Sequence, residues 1–104
     1  MDQILLLITT ESNKKAAKRI SKLLILKKLA ACVSLKKIYS IYRWESKIEQ
    51  VVEIEITIKS KPKLKNALID FLQKKTSFDI SQIIYKKFNS EKKYMNWIYK
   101  YISN

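Results

Sequence analysis

Alternation of apolar and polar side chains is clearest between Ile48 and Lys59. Ile48, Val52, Ile54, Ile56 and Ile58 share one parity; Glu49, Glu53, Glu55, Thr57 and Lys59 share the other, with Gln50 and Val51 as exceptions. Period two defines a strand with one buried face. The preceding stretch, Ala31 to Trp44, also reads as a strand. Val33, Leu35, Tyr39 and Ile41 fall on one parity, interrupted by Lys37, and its β-branched and aromatic content disfavours a helix. Glu45-Ser46-Lys47 is the turn between them. Each arm of this hairpin runs for roughly 12 residues, about 40 Å at strand rise. That is long for so small a chain, since strands usually span about 5–6 residues. Its far end needs a cover, and the simplest cover is another copy of the same chain.

The flanking segments supply the other elements. Ile4 to Thr9 is a continuous apolar run, suited to a strand buried on both faces. Ser12 then offers an N-cap, and Ala16, Ala17, Ile20, Leu23 and Leu24 recur at helical spacing to about Lys28. Ser60 and Pro62 open a second helix with Leu64, Ala67, Leu68, Phe71 and Leu72 as its inner stripe. Thr76-Ser77 breaks it. Phe78 to Phe88 is expected as a fourth strand, and Asn89-Ser90 as the cap of a last helix with Tyr94, Trp97, Ile98 and Tyr101 on its inner face. The order β-α-β-β-α-β-α predicts an α+β protein. Its first six elements form a ferredoxin-like antiparallel sheet with two helices on one face, and a C-terminal helix is appended. With no linker or repeat, one domain over residues 1–104 is expected.

Composition narrows the chemistry. The 104 residues include no histidine, no glycine, one proline and one cysteine. A chain without glycine has no phosphate-cradling loop and no dinucleotide fingerprint. Without histidine it has no imidazole base and no imidazole metal ligand. One cysteine excludes an intramolecular disulfide and a cysteine-rich zinc site. No catalytic motif is present, so an enzyme is not expected.

The 22 basic residues against 9 acidic ones leave a net charge of +13. All but Arg19 and Arg43 are lysine. Such a profile fits a solvated surface shaped by A/T-rich codons better than a phosphate-binding surface, where the planar arginine fork is favoured. A basic nucleic-acid-binding module of ferredoxin-like fold is the alternative. It is disfavoured because the exposed parity of the Ile48–Lys59 strand offers glutamates and no stacking aromatics. The short apolar start beside Asp2 does not fit a secretory signal, and no stretch approaches the roughly 20 apolar residues of a membrane span. A complete, cytoplasmic chain without a membrane partner is expected.

Leu29-Ala30-Ala31-Cys32-Val33, followed by Ile41-Tyr42-Arg43-Trp44-Glu45, resembles the CutA divalent-cation tolerance family. The similarity continues through Ile54 to Lys59, Ile83-Ile84 and Tyr94-Met95-Asn96-Trp97-Ile98. It implies a ferredoxin-like fold, a homotrimer with hairpins packed across subunits, and copper ion binding in some members. By analogy with the trimeric PII-type signalling proteins of this fold, it also implies a small-ligand or ion site in intersubunit clefts. The chain departs from the family at one stretch. Thr76-Ser77-Phe78-Asp79-Ile80-Ser81-Gln82 stands where the family has His-Pro-Tyr-x-x-Pro-Glu. The positions matching the proposed copper ligands hold Ile8, Lys75 and Thr76, none of them a copper donor of useful strength. No cofactor is therefore expected, and copper binding only weakly; Met1 offers an amine and a thioether at most.

The candidate cleft or interface residues are Cys32, Tyr42, Trp44, Lys59, Phe78 and Gln82. Cys32 between Ala31 and Val33 reads as a small hydrophobe before it reads as a ligand or redox sensor. Tyr42 and Trp44 suit either a cleft or interface packing. Glu49, Glu53 and Glu55 share a face that could gather a hard divalent cation, but a solvated face or pairing with lysines is the expectation, since the Glu53 and Glu55 Cα atoms stand about 7 Å apart. Lys61, Lys63 and Lys65, with Lys59, crowd the start of the second helix. Their charge opposes the helix dipole there, which an anion would relieve.

Overall fold

The computed structural model describes residues 2–102; Met1, with its amine and thioether, lies outside them, as do residues 103–104. Strand β1 spans Gln3–Glu11, helix α1 Lys14–Leu26, strand β2 Cys32–Trp44 and strand β3 Lys47–Ser60. A 3₁₀ turn at Pro62–Leu64 leads into helix α2, Lys65–Lys75, then strand β4, Ile84–Asn89, and helix α3, Lys92–Lys100. The four strands form one sheet in the order β2-β3-β1-β4, with every neighbouring pair antiparallel. This is the ferredoxin-like arrangement.

The core follows the parities of the sequence. Leu5 and Leu7 of β1 lie on the same face as Ile54, Ile56 and Ile58 of β3, with Leu7 directly opposite Ile58. Ala17, Ile20 and Leu24 of α1 and Leu64, Leu68, Phe71 and Leu72 complete that layer. Burying each of the larger side chains contributes about 1.5–3 kcal/mol. Ala67 is exposed and does not belong to the stripe. The helix begins as a 3₁₀ turn, which shifts Ala67 out of phase with Leu64 and Leu68.

Both helix caps fall one or more residues beyond the expected ones. Asn13, not Ser12, caps α1, its Oδ1 accepting from the Ala16 N–H at 2.9 Å. Glu91, not Asn89 or Ser90, caps α3, accepting from the Lys93 and Tyr94 N–H groups at 2.8 and 3.1 Å. A longer carboxylate reaches two orphan amides at once, whereas Ser90 spends its hydroxyl on the Glu91 carbonyl. α1 ends in a Schellman arrangement. Leu29 N–H donates to the Leu24 carbonyl and Lys28 N–H to that of Ile25, with Lys28 at φ 58°.

The fourth strand is shorter than expected. Pairing with β1 starts at Ile8↔Ile84, and residues 76–83 form a loop, so Phe78 and Ile80 are loop residues. The cause lies in side-chain hydrogen bonds. The buried Glu11 carboxylate accepts from the Ser77 N–H, and the Thr76 hydroxyl shares a hydrogen bond with Ser81. These contacts fold the segment over the end of β1 instead of along it.

The hairpin arms are 13 and 14 residues long, in register from Cys32↔Lys59 to Trp44↔Lys47. They give the molecule extents of 46 × 24 × 22 Å. Beyond the helices, Tyr39 is 77% exposed, Ile41 71% and Ile48 64%. The inner face of α3 is also rotated from the expected stripe. Ile98 and Ile102 are buried and Met95 and Tyr99 pack against the core, while Tyr94, Trp97 and Tyr101 face outward, Tyr94 stacked on Trp97 at 5.9 Å between centroids and Trp97 tilted against Tyr101 at 5.6 Å.

Candidate functional site

A cleft of about 700 Å³ opens between the projecting hairpin and the 76–83 loop. Ser40, Tyr42 and Trp44 of β2 and Glu49 and Glu53 of β3 form one wall; Ser77, Phe78, Asp79 and Gln82 form the other, with Thr10 at the base. Strand register places the first wall. Tyr42 stands directly opposite Glu49, Ser40 opposite Val51 and Ile38 opposite Glu53, all on the face away from Ile54 and Ile56. The Glu11–Ser77 hydrogen bond holds the second wall in place.

Four of the six candidate cleft residues, Tyr42, Trp44, Phe78 and Gln82, come together here. The other two lie at the opposite end of the hairpin. Cys32 is a half-buried free thiol paired in register with Lys59, and it borders a separate groove with Ile25, Leu26 and Val33. The sequence reading passed over Thr10 and Asp79 as cleft residues. A usable signal existed: residues 76–85 contain Asp79 and no lysine, in a chain with 22 basic residues.

The glutamate face is not uniformly solvated. Glu53 is 9% exposed, because the loop comes over that end of the face to close the cleft. Glu55 stands opposite Lys36 in register, yet the ion pair among the described residues is the exposed Lys74–Asp70 pair at 3.1 Å.

The lysines at the start of α2 lie against aromatic rings. Lys59 Nζ sits 5.7 Å from the Tyr94 centroid, Lys61 Nζ 5.6 Å from that of Tyr99, and Lys65 Nζ 5.1 Å from that of Tyr85. Cation–π attraction of this kind is worth about 0.5–2 kcal/mol, rising with desolvation. It ties α3 and β4 to the end of β3, and Lys61 is buried in the process. Lys63 is exposed on the 3₁₀ turn. Tyr99 Oη also donates to the Gln3 carbonyl at 2.8 Å; burial, with the Asp2 carboxylate as a lesser cause, raises its hydroxyl above the ordinary 10.0.

Ile8, Lys75 and Thr76 offer no set of copper donors in this fold. Ile8 is a strand residue between Thr57 and Ile84, and Lys75 is exposed at the end of α2. Thr76 already donates its hydroxyl to the Leu72 carbonyl at 2.9 Å. Among the described residues, no three of Cys, Asp and Glu gather as a metal-holding group. Nor is any described helix long and apolar enough to cross a membrane.

Sheet order, helix placement and the overhanging hairpin define a ferredoxin-like α+β protein with a cleft at the hairpin's far end. The profile of the CutA1 divalent ion tolerance protein family matches residues 5–101, and the chain belongs to that family. It is 40% identical over 73 residues to Protein CutA of Homo sapiens, which takes in 69% of this chain and 41% of the human protein. The chain spans about half the length of the curated relatives it matches first, 51% for the Mus musculus protein. The crystal structure of CutA1 from Ehrlichia chaffeensis superposes with a TM-score of 0.87 at 32% identity, covering 91% of each chain. CutA1 from Oryza sativa gives 0.92 at 29% identity, covering 97% of this chain and 94% of that one.

Proposed function

We propose that the chain is a non-enzymatic divalent-cation tolerance protein that works as a homotrimer, with a small ligand held where the cleft meets a neighbouring subunit. One observation carries the assembly. Tyr39, Ile41, Ile48 and Val52 form a contiguous apolar surface on the projecting hairpin, exposed in the single chain. Solvated aliphatic and aromatic surface of this extent marks an interface. Family membership supports the tolerance role. The chemistry of the cleft supports binding over reaction: it offers hydroxyls, an amide, carboxylates and rings, and the chain has no histidine to act as base. Tolerance would then act through the bound ligand and not through a copper site. The lone thiol suits a reducing, cytoplasmic setting.

Light scattering at micromolar concentration tests this reading. A mass three times the 12.3 kDa of the chain is expected. A persistent monomer overturns it.

A further inference from the structure

The charge of the cleft is opposite to that of the molecule. The chain has 22 basic and 9 acidic residues, yet the cleft is lined by Glu49, Glu53 and Asp79 and by no lysine or arginine. Interleaved with these carboxylates are the rings of Tyr42, Trp44 and Phe78. Glu53 supplies an independent observation. It is more than nine-tenths buried, it lines the cleft, and among the described residues it takes part in no ion pair and accepts no hydrogen bond. Its carboxylate oxygens are not sealed in the core but open onto the cleft, where a cation would supply the missing partner.

Spacing decides which kind of cation. Glu49 and Glu53 are four residues apart on one strand, so their Cα atoms lie about 13 Å apart at strand rise. A hard metal ion needs carboxylate oxygens within about 2.0–2.6 Å of one point. These two cannot converge on one ion, and no three-residue cluster of ligands exists among the described residues. A flexible chain with several ammonium groups meets the arrangement directly. Its charges fall beside separate carboxylates, and its methylene segments and ammonium faces lie on the aromatic rings. A cavity of about 700 Å³ is in the range of small-molecule sites.

We propose that this cleft binds a linear polyamine. Glu53 anchors one ammonium at the buried end, Glu49 and Asp79 take the others nearer the mouth, and Tyr42, Trp44 and Phe78 hold the stem. The proposal rests on the reading of this cleft as the ligand site, and it names the ligand class.

The test is calorimetric titration of the full chain with spermidine at physiological ionic strength. Saturable binding of one spermidine per chain is expected, against the repulsion of a +13 protein. Glu53→Gln should weaken it at least tenfold and Asp79→Asn, on the exposed loop, several-fold; Asp70→Asn, outside the cleft, should leave it unchanged. Circular dichroism checks that each variant is folded, and Asp79→Asn carries the test if Glu53→Gln is not. Magnesium at matched ionic strength should not displace spermidine. Absence of binding at millimolar spermidine, equal weakening by Asp70→Asn, or displacement by magnesium overturns the proposal. A trimer whose cleft takes citrate in place of spermidine would overturn it while leaving the proposed function standing. Spermidine binding by a persistent monomer would do the reverse.

Discussion

The Ser77 N–H donates to Glu11 Oε2 at 3.1 Å, joining residues 66 positions apart, while Oε1 of the same carboxylate accepts from Ser12 N–H at 2.7 Å. Glu11 is fully buried at the end of β1. One side chain therefore ends the first strand and fixes the loop that walls the cleft.

Replacing Glu11 by Ala should release that loop. Hydrogen bonds to a charged group are worth about 1.5–3 kcal/mol each, so with two of them lost a fall in stability of about 3–6 kcal/mol is expected in urea denaturation. Amide exchange at Ser77 should accelerate together with it. Continued protection of that amide would show that another contact holds the loop.

Lys28 sits at φ 58°, in the position of a Schellman motif that glycine usually fills. A Cβ in this conformation costs about 1–2 kcal/mol. Lys28→Gly should therefore stabilise the protein by about 1 kcal/mol, less than the strain removed because glycine loses more entropy on folding. Thermal denaturation of the two proteins side by side measures the gain.

The Tyr99 hydroxyl titrates above 10.0 in the folded chain, through burial first and the Asp2 carboxylate second. The native state thus holds this proton more tightly than the unfolded state does. Its contribution to stability is complete below pH 10 and is lost as pH rises through the folded value. Tyr99→Phe should show a smaller drop in melting temperature than the parent between pH 9 and the alkaline limit of the titration. Parallel pH curves would argue against the raised value.

Tyr39 projects from the apolar hairpin surface with 77% of its area exposed. Tyr39→Glu should lower the mass found by light scattering from trimer toward monomer, with the circular dichroism spectrum unchanged. A fully trimeric variant would move the interface elsewhere on the molecule.

Copper and zinc should bind weakly, with dissociation constants above about 10 µM, equivalent to only about 7 kcal/mol. The chain has one cysteine and no histidine, and Ile8, Lys75 and Thr76 supply no soft ligand. Calorimetry would measure it. A sub-micromolar site at one metal per chain, lost in Cys32→Ser, would restore direct metal binding.

The extended and helical segments were legible because burial imposes a period on side chains. Ile54, Ile56 and Ile58 announce a half-buried strand, and Ile20 and Leu24 a helix face, whatever lies around them. The loop from Thr76 to Ile83 was not legible as a loop. Its Ile80 and Ile83, continuing into Ile84 of β4, satisfy a strand pattern locally, and the contact that overrides it comes from Glu11 at the far end of β1. The outward rotation of Tyr94, Trp97 and Tyr101 was hidden for the same reason. Their helical spacing is regular, but Lys59 of β3 takes up the Tyr94 ring, and Ile98 and Ile102 fill the core.

From residue order alone came the βαββαβ frame with its added helix, the length of the hairpin, the family resemblance and the lack of histidine. Those depend on side-chain type and on spacing along one chain. Tertiary structure decided which charges face which surface. It set Glu49, Glu53 and Asp79 around one cleft, left Cys32 and Lys59 at the other end of the hairpin, and turned Lys59, Lys61 and Lys65 onto aromatic rings. Strand register and loop closure bring these groups together across long stretches of sequence, and no periodicity within one segment encodes them.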